Sequence, residues 1–326
     1  MYRRSKHLHG KAFSAKCAVT VLLLLFVFFC LFTGKRVATP VGQVASGARR
    51  RPLITFSQIG YEGRLGNQLF QIAATIGLAE KLGLSWGFFQ NLNNCSAGRL
   101  FNLSGSLENS GNIIEYRETS GVYSAPLWKK VPNTDFISLA GYFQDYRYFD
   151  KSLVTLDEYF KFQDKLLQIV RTEVPEVDSA FSVALHVRRG DYIELSELYG
   201  VLDAEYYLRA LSLIAHRIDV VIIVSDDVQW CKEHLVSRIP YRVILSPFQD
   251  ELCDFLLLHL SRVIVIANSS FSWWAAFLKY ARSPLKMDDE NVRVFAPRTW
   301  YNPSGDLAYM NSNEYFFPPK WTRVRN

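Results

Sequence analysis

The stretch Val183–Glu194, with the sequence VALHVRRGDYIE, indicates the fold more directly than any other part of the chain. Its first five residues alternate apolar side chains, which predicts a buried β-strand. Two cationic residues, a glycine and a carboxylate follow, namely Arg188, Arg189, Gly190 and Asp191. Two adjacent guanidinium groups need anionic partners, because burial of an unpaired charge is costly, and the glycine lets the backbone turn closely around a ligand. A strand that brings two cations to its carboxyl end therefore predicts a site for a phosphate-bearing ligand.

A purely structural interpretation of the same stretch stays open. In it, Arg189 forms an ion pair with Asp191, and Arg188 is solvated. His186, which lies within the apolar strand, is by default a core histidine whose ring is satisfied by a hydrogen bond. The rest of the chain is needed to decide between the two interpretations.

The second half of the chain alternates strands with helices. Further strands are predicted at Val220–Ser225, Arg242–Ser246, Val263–Ala267 and Val292–Ala296, and helices at Asp203–Arg217, Val228–Leu235, Gln249–Leu260 and Ser272–Leu278. Nearly continuous apolar strands between helices indicate a parallel sheet with both faces covered. We therefore predict a doubly wound, Rossmann-type α/β domain over residues 181–326.

The first half predicts a second, less regular α/β domain over residues 53–180. A strand at Leu53–Ile59 leads through a glycine-rich turn into a helix at Asn67–Leu82, and such a turn aims backbone N–H groups and a helix dipole at an anion. The turn has neither the G-x-G-x-x-G nor the Walker A spacing, so an ordinary turn is the alternative. Further along, a strand is predicted at Ile137–Tyr142 and a single helix at Asp150–Val174.

Three more segments place polar residues where strands end, which is where open α/β sheets bind ligands. They contribute Arg64, Gly66 and Asn67, then Asp226 and Asp227, and finally Ser269, Ser270 and Phe271. Serine hydroxyls at a helix N-terminus bind phosphates, and a carboxylate accepts two N–H donors from a guanine edge. Asp226 has two alternatives, as a metal ligand with Asp227 or as a helix N-cap, and the serines share the N-cap alternative.

The N-terminal region differs sharply in charge from the rest. The chain of 326 residues has 37 Lys/Arg and 31 Asp/Glu, but residues 1–51 hold ten of the basic residues and no acidic one, so the remainder has a net charge of −4. A mildly acidic body does not indicate nucleic-acid binding. Within the basic region, Cys17–Phe32 is a run of sixteen uncharged residues without Pro or Gly, which is long enough to cross a thin bilayer.

We therefore predict a cytoplasmic tail (1–16), a single transmembrane signal anchor (17–33) and a stem (34–52), with the rest of the chain luminal because the basic residues precede the anchor. A cleavable signal peptide is the alternative, although no small-x-small cleavage site follows. Sequons at Asn94 and Asn102 fit a luminal location, whereas the sequon at Asn268 follows an apolar strand and is predicted to be buried. Three luminal cysteines allow at most one disulfide, and their spacing does not suggest a zinc site.

Four segments are similar, in order and in spacing, to those of the α1,2-fucosyltransferases. They read GRLGNQLFQIA (63–73), LHVRRGDYI (185–193), VIIVSDDVQWCKEHL (221–235) and NSSFSWWAAF (268–277). Ala296–Trp300 and Phe317–Trp321 also fit, so the resemblance covers residues 54–321. It implies a GT-B-like fold of two facing α/β domains, GDP-fucose as the donor, no obligatory divalent metal, and inverting transfer of L-fucose to the 2-hydroxyl of a terminal β-galactoside on a glycan. Together with the anchor, it implies a single-pass protein of the Golgi membrane with a luminal catalytic domain.

The resemblance also implies roles for most of the candidate residues. Arg188 meets the charge that develops on the leaving β-phosphate, and Arg189 supports the loop by pairing with Asp191. The nucleotide is contacted by residues of both domains, namely Arg64, Gly66, Asn67, His186, Ser269, Ser270 and Phe271. Asp226 resembles the carboxylate that reads guanine, with Asp227 as the weaker candidate. The general base is not implied by the resemblance. A base must lie within reach of the acceptor hydroxyl, and Asp191, Glu194 and Glu197, which follow the arginines, are the candidates, with Asp191 and Glu197 ranked equally.

Three other functions stay open at this point. Another GDP-fucose enzyme, of α1,6 or protein O-linked specificity, shares the arginine motif, but the segments GNQLFQ and SFSWWAAF argue against it. A catalytically inactive, membrane-anchored glycan-binding protein has no need of the donor residues. A metal-dependent transferase of the D-x-D type needs a motif that the adjacent Asp226 and Asp227 do not provide.

Overall fold

The computed structural model describes residues 51–326 with gaps at 62, 90–91, 93, 109, 119–120, 122, 125–130, 215–216 and 282–292. The predicted tail and anchor, and all but the end of the predicted stem, lie outside the described residues. Among the helices that the structure describes, none is both long enough and apolar enough to cross a membrane. The described residues belong to one compact unit.

The first half of the described chain forms a parallel sheet of four strands in the order β2-β1-β4-β3. The strands are β1 (Leu53–Thr55), β2 (Ser85–Trp86), β3 (Ile113–Arg117) and β4 (Phe136–Ala140). Two helices belong to this half, α1 (Leu65–Leu82) after β1 and α2 (Ser96–Phe101) after β2. Leu53 lies opposite both Ser85 and Phe136, so the carboxyl ends of the strands lie along the same edge of the sheet.

Two further helices, α3 (Leu153–Tyr159) and α4 (Asp164–Glu173), connect the two sheets. The sequence predicts one helix over Asp150–Val174, and this prediction is wrong. The chain leaves the helical conformation at Phe160, whose ring lies 4.8 Å from that of Phe101, while Phe162 stacks on Phe101 at 4.9 Å. Residues two apart point to different sides of a helix, so both rings reach Phe101 only if the helix ends.

The second half forms a parallel sheet of six described strands in the order β10-β9-β8-β5-β6-β7. The strands are β5 (Ser182–Val187), β6 (Val220–Ser225), β7 (Arg242–Leu245), β8 (Val263–Val265), β9 (Arg293–Pro297) and β10 (Thr322–Val324). The predicted parallel sheet is confirmed, and β5, which is buried at every residue, lies near its centre. Burial on both faces explains why β5 is nearly continuously apolar.

Five helices of the described chain accompany the second sheet. They are α5 (Gly190–Glu194), α6 (Ala204–Ser212), α7 (Val228–His234), α8 (Glu251–Leu260) and α9 (Ser270–Ala281). Helix α6 has Asp203 as its N-cap, and the Asp203 carboxylate accepts a hydrogen bond from the Tyr206 N–H at 3.0 Å. Helices α1 and α9 each begin two residues earlier than predicted, which puts Asn67 and Ser270 in their first turns.

The hydrophobic core that joins the two halves is centred on Trp273 and Trp274 of α9, both completely buried. The Phe70 ring of α1 lies 4.6 Å from Trp273, and the Phe149 ring stacks on Trp274 at 5.4 Å. At about 25 cal/mol per Å², burial of about 200 Å² of each indole stabilises the fold by roughly 5 kcal/mol. The two sheets thus share one core, and the boundary predicted near residue 180 stays a prediction.

The three described cysteines and the sequon residue Asn268 are all buried. Cys95, Cys231 and Cys253 are buried and none of them forms a disulfide. The prediction that Asn268 is buried is confirmed, because its side chain is completely inaccessible and its Nδ2 donates to the carbonyl oxygens of Gly200 and Trp300 at 2.8 Å.

Candidate active site

A cavity of about 430 Å³ lies where the carboxyl ends of the second sheet's strands face the start of α1. Ten of the thirteen predicted site residues line it, namely Arg64, Gly66, Asn67, His186, Arg188, Asp191, Asp226, Ser269, Ser270 and Phe271. The other three, Arg189, Asp227 and Glu197, do not line this cavity. Residues from four separate stretches of sequence thus meet at one place, and their roles remain predictions.

Two helix N-termini meet at the cavity, and Gly66 permits their approach. A Cβ atom on Gly66 of α1 would lie 2.4 Å from the Ser270 carbonyl carbon and 2.5 Å from the Phe271 nitrogen, both in α9. Asn67 Oδ1 accepts hydrogen bonds from Ser270 Oγ at 3.0 Å and from Gln144 Nε2 at 2.8 Å. Neither helix has an acidic residue in its first turn. Their positive ends therefore favour an anion in the cavity.

Arg188 is held in the cavity by two carboxylates. Its guanidinium lies 2.5 Å from Asp191 Oδ1 and 2.8 Å from Asp226 Oδ2, and its side chain is 17% exposed. The Nε of Arg188 is buried and has no hydrogen-bond partner in the described part of the chain. Arg188 nevertheless lines the cavity, so a ligand there meets the exposed part of the side chain and not the buried Nε.

Arg189 faces away from the cavity. Its Nε lies 3.2 Å from Asp227 Oδ2, and its guanidinium lies 4.1 Å from the centre of the Trp230 ring of α7. The predicted pair between Arg189 and Asp191 is therefore wrong, since Asp191 pairs with Arg188. Successive side chains of an extended chain point to opposite sides, so the two arginines separate where β5 ends.

The two adjacent aspartates after β6 separate in the same way. Asp227 is the N-cap of α7, because its Oδ1 accepts a hydrogen bond from the Trp230 N–H at 3.1 Å. Asp226 lines the cavity, and its Oδ1 accepts a hydrogen bond from the Arg189 N–H at 2.8 Å. A Cβ atom on Gly190 would lie 2.7 Å from Asp226 Oδ2, so a glycine there leaves room for the ion pair with Arg188. The cap role considered for Asp226 thus belongs to Asp227.

His186 is a neutral polar group beneath the cavity. Its Nδ1 lies 2.8 Å from Ser272 Oγ, so one ring nitrogen has the partner expected of a core histidine, while the residue also lines the cavity. Burial, with a smaller effect of the nearby Arg188 charge, lowers the pKa of His186 to about 3. The ring is therefore uncharged near neutral pH and is too weak a base to keep a proton there.

An acidic cluster that was not predicted from the sequence lies at the cavity's far end, where α8 begins. Gln249, Asp250, Glu251 and Asp254 line the cavity there. Burial raises the pKa of Asp254 to about 6, and the neighbouring Asp250 adds to the rise. The Ser246 hydroxyl donates to Asp254 Oδ1. A sequence signal was present, because Asp254 interrupts the apolar run ELCDFLLLHL with a charge.

Three residues that were not predicted as site residues, namely Tyr192, Leu195 and Tyr199, line the opposite end of the cavity. Tyr192 lies within the predicted arginine motif, and the other two follow it closely in the chain. Glu197 lies in the same stretch but is exposed and outside the cavity lining, because the backbone there turns toward Gly305, whose Cβ position lies 2.1 Å from the Glu197 carbonyl oxygen.

Two parallel α/β sheets that share a core, with a cavity at the strand ends, form a GT-B-like fold. Comparison with known proteins agrees. The glycosyl transferase family 11 pattern matches residues 112–292, more than half of the chain, and the chain belongs to this family.

Relatives of known name cover most of the chain. The O-antigen biosynthesis glycosyltransferase WbnK of Escherichia coli is 27% identical over 288 residues, which span 73% of this chain and 93% of that protein. The galactoside 2-alpha-L-fucosyltransferase of Caenorhabditis elegans is 21% identical over 347 residues, spanning 94% of this chain and 92% of that one. Among solved structures, fucosyltransferase NodZ from Bradyrhizobium shares the fold with a TM-score of 0.50 at 13% identity, over 71% of this chain and 94% of that one.

Proposed function

We propose that this protein transfers L-fucose from GDP-fucose to the 2-hydroxyl of a terminal β-galactoside, with inversion and in a single displacement. The observation that carries the proposal is Arg188, whose guanidinium is fixed by Asp191 and Asp226 beside two converging helix N-termini. This is an anion site built from protein groups. The name of the Caenorhabditis elegans relative supports the fucosyl donor and the galactoside acceptor.

The diphosphate of the donor lies at Arg188 and the first turns of α1 and α9 in this proposal. The base lies toward α8, because β7, which precedes α8, is two strands away from β5. Two strand spacings are about 10 Å, a distance that a nucleoside diphosphate spans. Asp226 was predicted to read guanine, but both of its oxygens already bind the two arginine residues. We assign the guanine N–H edge to Asp254, with Asp226 as the weaker candidate.

The chemical step is a displacement at the anomeric carbon of fucose. The acceptor 2-hydroxyl oxygen forms the new bond, the bond from that carbon to the phosphate oxygen breaks, and the electron pair goes to the β-phosphate. Arg188 and the helix N–H groups stabilise this negative charge because they are already oriented toward it. By analogy with arginine in phosphoryl transfer, the guanidinium contributes roughly 10³-fold or more to the rate.

We assign the role of general base, which removes the proton of the attacking hydroxyl, to Asp191. Of the two equally ranked candidates, Asp191 lines the cavity next to Arg188, whereas Glu197 is exposed outside it. A general base must lie within hydrogen-bonding reach of the proton that it removes. Asp191 Oδ2 also lies 4.0 Å from the Arg64 guanidinium, so residues of both halves of the chain surround the acceptor hydroxyl.

The proposed reaction does not require a divalent metal. The carboxylates of Asp226 and Asp227 are each paired with an arginine, so guanidinium groups occupy the places where a metal-dependent site would bind its ion. Activity in EDTA that equals activity in Mn²⁺ is the expected result. Loss of activity in EDTA, with recovery on addition of Mn²⁺, would support the metal-site alternative for the two aspartates.

The experiment that tests the proposed function is an assay of the full chain with GDP-fucose and a panel of β-galactosides, with the product linkage determined by NMR. An α1,2 linkage to galactose is expected. An α1,6 linkage, or transfer only to protein hydroxyls, would replace this proposal with another fucosyltransferase activity. Binding of glycans without any transfer would support the inactive glycan-binding protein.

The Golgi membrane location with a luminal catalytic domain is also a proposal. It rests on the apolar segment Cys17–Phe32 and the basic residues that precede it. In sealed microsomes, protease should remove only the short N-terminal tail. Complete digestion of the chain without detergent would contradict the luminal topology.

A further inference from the structure

Three tyrosines form a stack beside the cavity. The rings of Tyr192 and Tyr199 lie 4.4 Å apart and nearly parallel, at 11°, and the rings of Tyr199 and Tyr301 lie 5.8 Å apart at 27°. The Arg188 guanidinium lies 5.2 Å from the centre of the Tyr192 ring. The stack therefore connects the cation of the anion site to a wall of the cavity.

The stack is fixed by hydrogen bonds before any ligand binds. The Tyr192 hydroxyl donates to the Asn268 carbonyl oxygen at 3.0 Å. Tyr199 and Tyr301 face each other in an antiparallel bridge, and next to it the Asn302 N–H donates to the Leu198 carbonyl oxygen at 2.9 Å. A side chain held in this way loses little further freedom when it binds a ligand.

The Tyr199 hydroxyl is left available by this packing. Its ring stacks on two other tyrosine rings, and the residue lines the cavity. The hydroxyl makes no hydrogen bond to any residue that the structure describes. Burial raises the pKa of Tyr199, so the phenol stays protonated and both donates and accepts hydrogen bonds. Leu195, 41% exposed, adds an apolar side chain to the same wall.

The wall lies on the opposite side of Arg188 from the proposed base site. The order β9-β8-β5-β6-β7 puts β5 and Arg188 between the two ends. Tyr301 follows β9, and the Tyr192 hydroxyl donates a hydrogen bond to Asn268, which follows β8. Asp254, by contrast, belongs to α8, the helix that follows β7. A donor that extends from Arg188 toward Asp254 leaves the tyrosine side open to the second substrate.

Resting on the proposed function, we propose that this wall binds the acceptor sugar. The Tyr199 hydroxyl bonds to a ring hydroxyl of the terminal galactose other than the reacting 2-hydroxyl, and Leu195 packs against the sugar face that carries the C–H groups of carbons 3, 4 and 5. That face is apolar in galactose because its 4-hydroxyl points to the other side. Asp191, one residue before Tyr192, then lies beside the attacking hydroxyl. Pockets combine such apolar walls with a few fixed polar groups to orient a ligand.

The test uses the full chain, the variant Tyr199→Phe, and a set of β-galactosides that lack the 3-, 4- or 6-hydroxyl. Tyr199→Phe keeps the ring in the stack and removes only the hydroxyl. The acceptor KM should rise about 5- to 15-fold, the loss of one hydrogen bond, while GDP affinity stays within about twofold. With the wild-type chain, one of the deoxy acceptors should show the same rise in KM as Tyr199→Phe shows with the complete acceptor. With Tyr199→Phe, that deoxy acceptor should show no further rise in KM, because both changes remove the same hydrogen bond.

Two further variants complete the test. Leu195→Gln changes an exposed wall residue without affecting the stack, and it should raise the acceptor KM but not the donor KM. Tyr241→Phe is the matched control, because Tyr241 is exposed and precedes β7, at the opposite edge of the sheet, and it should behave like wild type. If the wild-type chain transfers fucose and Tyr199→Phe has an unchanged KM for every acceptor, the acceptor wall is wrong and the proposed function stands. If the wild-type chain transfers to no β-galactoside, the proposed function itself fails.

Discussion

The two sides of the carboxyl end of β5 contain the same residue types and differ in what surrounds them. On the cavity side, Arg188 pairs with Asp191 and Asp226 and keeps a buried Nε without a partner among the described residues. On the helix side, Arg189 pairs with Asp227 and covers the Trp230 ring. One arginine thus lines the cavity and the other packs on a helix. Chemical type alone does not separate them, whereas their partners and their position relative to the cavity do.

The largest expected difference is in catalysis at Arg188. Arg188→Ala should lower kcat by about 10³-fold or more, because the guanidinium proposed to stabilise the charge on the leaving group is removed. Arg188→Lys should recover only a small part of this, since an ammonium cannot hold both carboxylates in a fork. The measurement is steady-state transfer of fucose, with thermal unfolding as the control for folding. Near-normal turnover in a folded Arg188→Ala variant would contradict the proposal that Arg188, unlike Arg189, acts in catalysis.

Asp226→Asn tests whether Asp226 orients Arg188 or reads the base. If it orients Arg188, kcat should fall about 10- to 100-fold, because a small misplacement of a catalytic group is costly, and GDP affinity should fall by less than the roughly tenfold loss expected for Arg188→Ala. The split between kcat and the donor KM is the measurement. A large loss of GDP affinity with kcat unchanged would instead return Asp226 to the guanine-reading role.

Asp254 gives a prediction about pH. Its pKa near 6 in the unliganded protein means that the carboxylate needed to accept guanine N–H groups is lost as pH falls through 6. The affinity for GDP-fucose, which has no phosphate group titrating in this range, should therefore fall about tenfold between pH 7 and pH 5. Asp254→Asn should bind more weakly and without this dependence. An identical pH profile for Asp254→Asn and wild type would exclude Asp254 from the base site.

The raised pKa of Asp254 has a consequence for stability as well. The pKa of Asp254 is higher in the folded chain than in the unfolded chain. Its carboxyl therefore stabilises the fold fully at pH values below the pKa of the unfolded chain, and this contribution is lost as pH rises through about 6. Asp254→Asn, which cannot ionise, should therefore melt at a higher temperature than wild type at pH 8. A lower melting temperature at pH 8 would contradict the burial of this charge.

The smallest effect on turnover is expected on the helix side. Arg189→Ala should leave kcat within about fivefold of wild type and should lower the free energy of unfolding by about 1.5–3 kcal/mol, through loss of a charged hydrogen bond. Urea denaturation measures the second quantity. If Arg189→Ala loses catalysis as severely as Arg188→Ala, then both arginines act on the ligand.

Sequence was most informative where one physical demand dominates. Strands β5 and β6 are buried on both faces, so an uninterrupted apolar run was enough to locate them and to predict the parallel sheet. The meeting of Arg188, Gly66 and Ser270 at one cavity was also predictable, because all three lie at strand ends or helix starts. By contrast, β10 has only three residues and two of them are exposed, so it has little apolar pattern to find.

The remaining features depend on contacts between distant residues. The separation of Arg189 from Asp191 depends on Trp230, which is 41 positions further along the chain. The Asp254 carboxyl reaches the cavity only because α8 crosses behind β6 and β5, and the sequence shows it merely as one charge in an apolar helix. The end of helix α3 at Phe160 likewise follows from the position of Phe101. A local sequence pattern does not predict contacts between residues that lie this far apart in the chain.

The central claim is that Arg188 and the two helix N-termini form a diphosphate site that works without a metal. Calorimetric titration of GDP into the full chain in EDTA tests it most directly. The expected result is saturable binding in EDTA, weakened at least about tenfold by Arg188→Ala and unchanged by Arg189→Ala. Binding that needs added Mn²⁺, or equal affinity in wild type and Arg188→Ala, would contradict the claim.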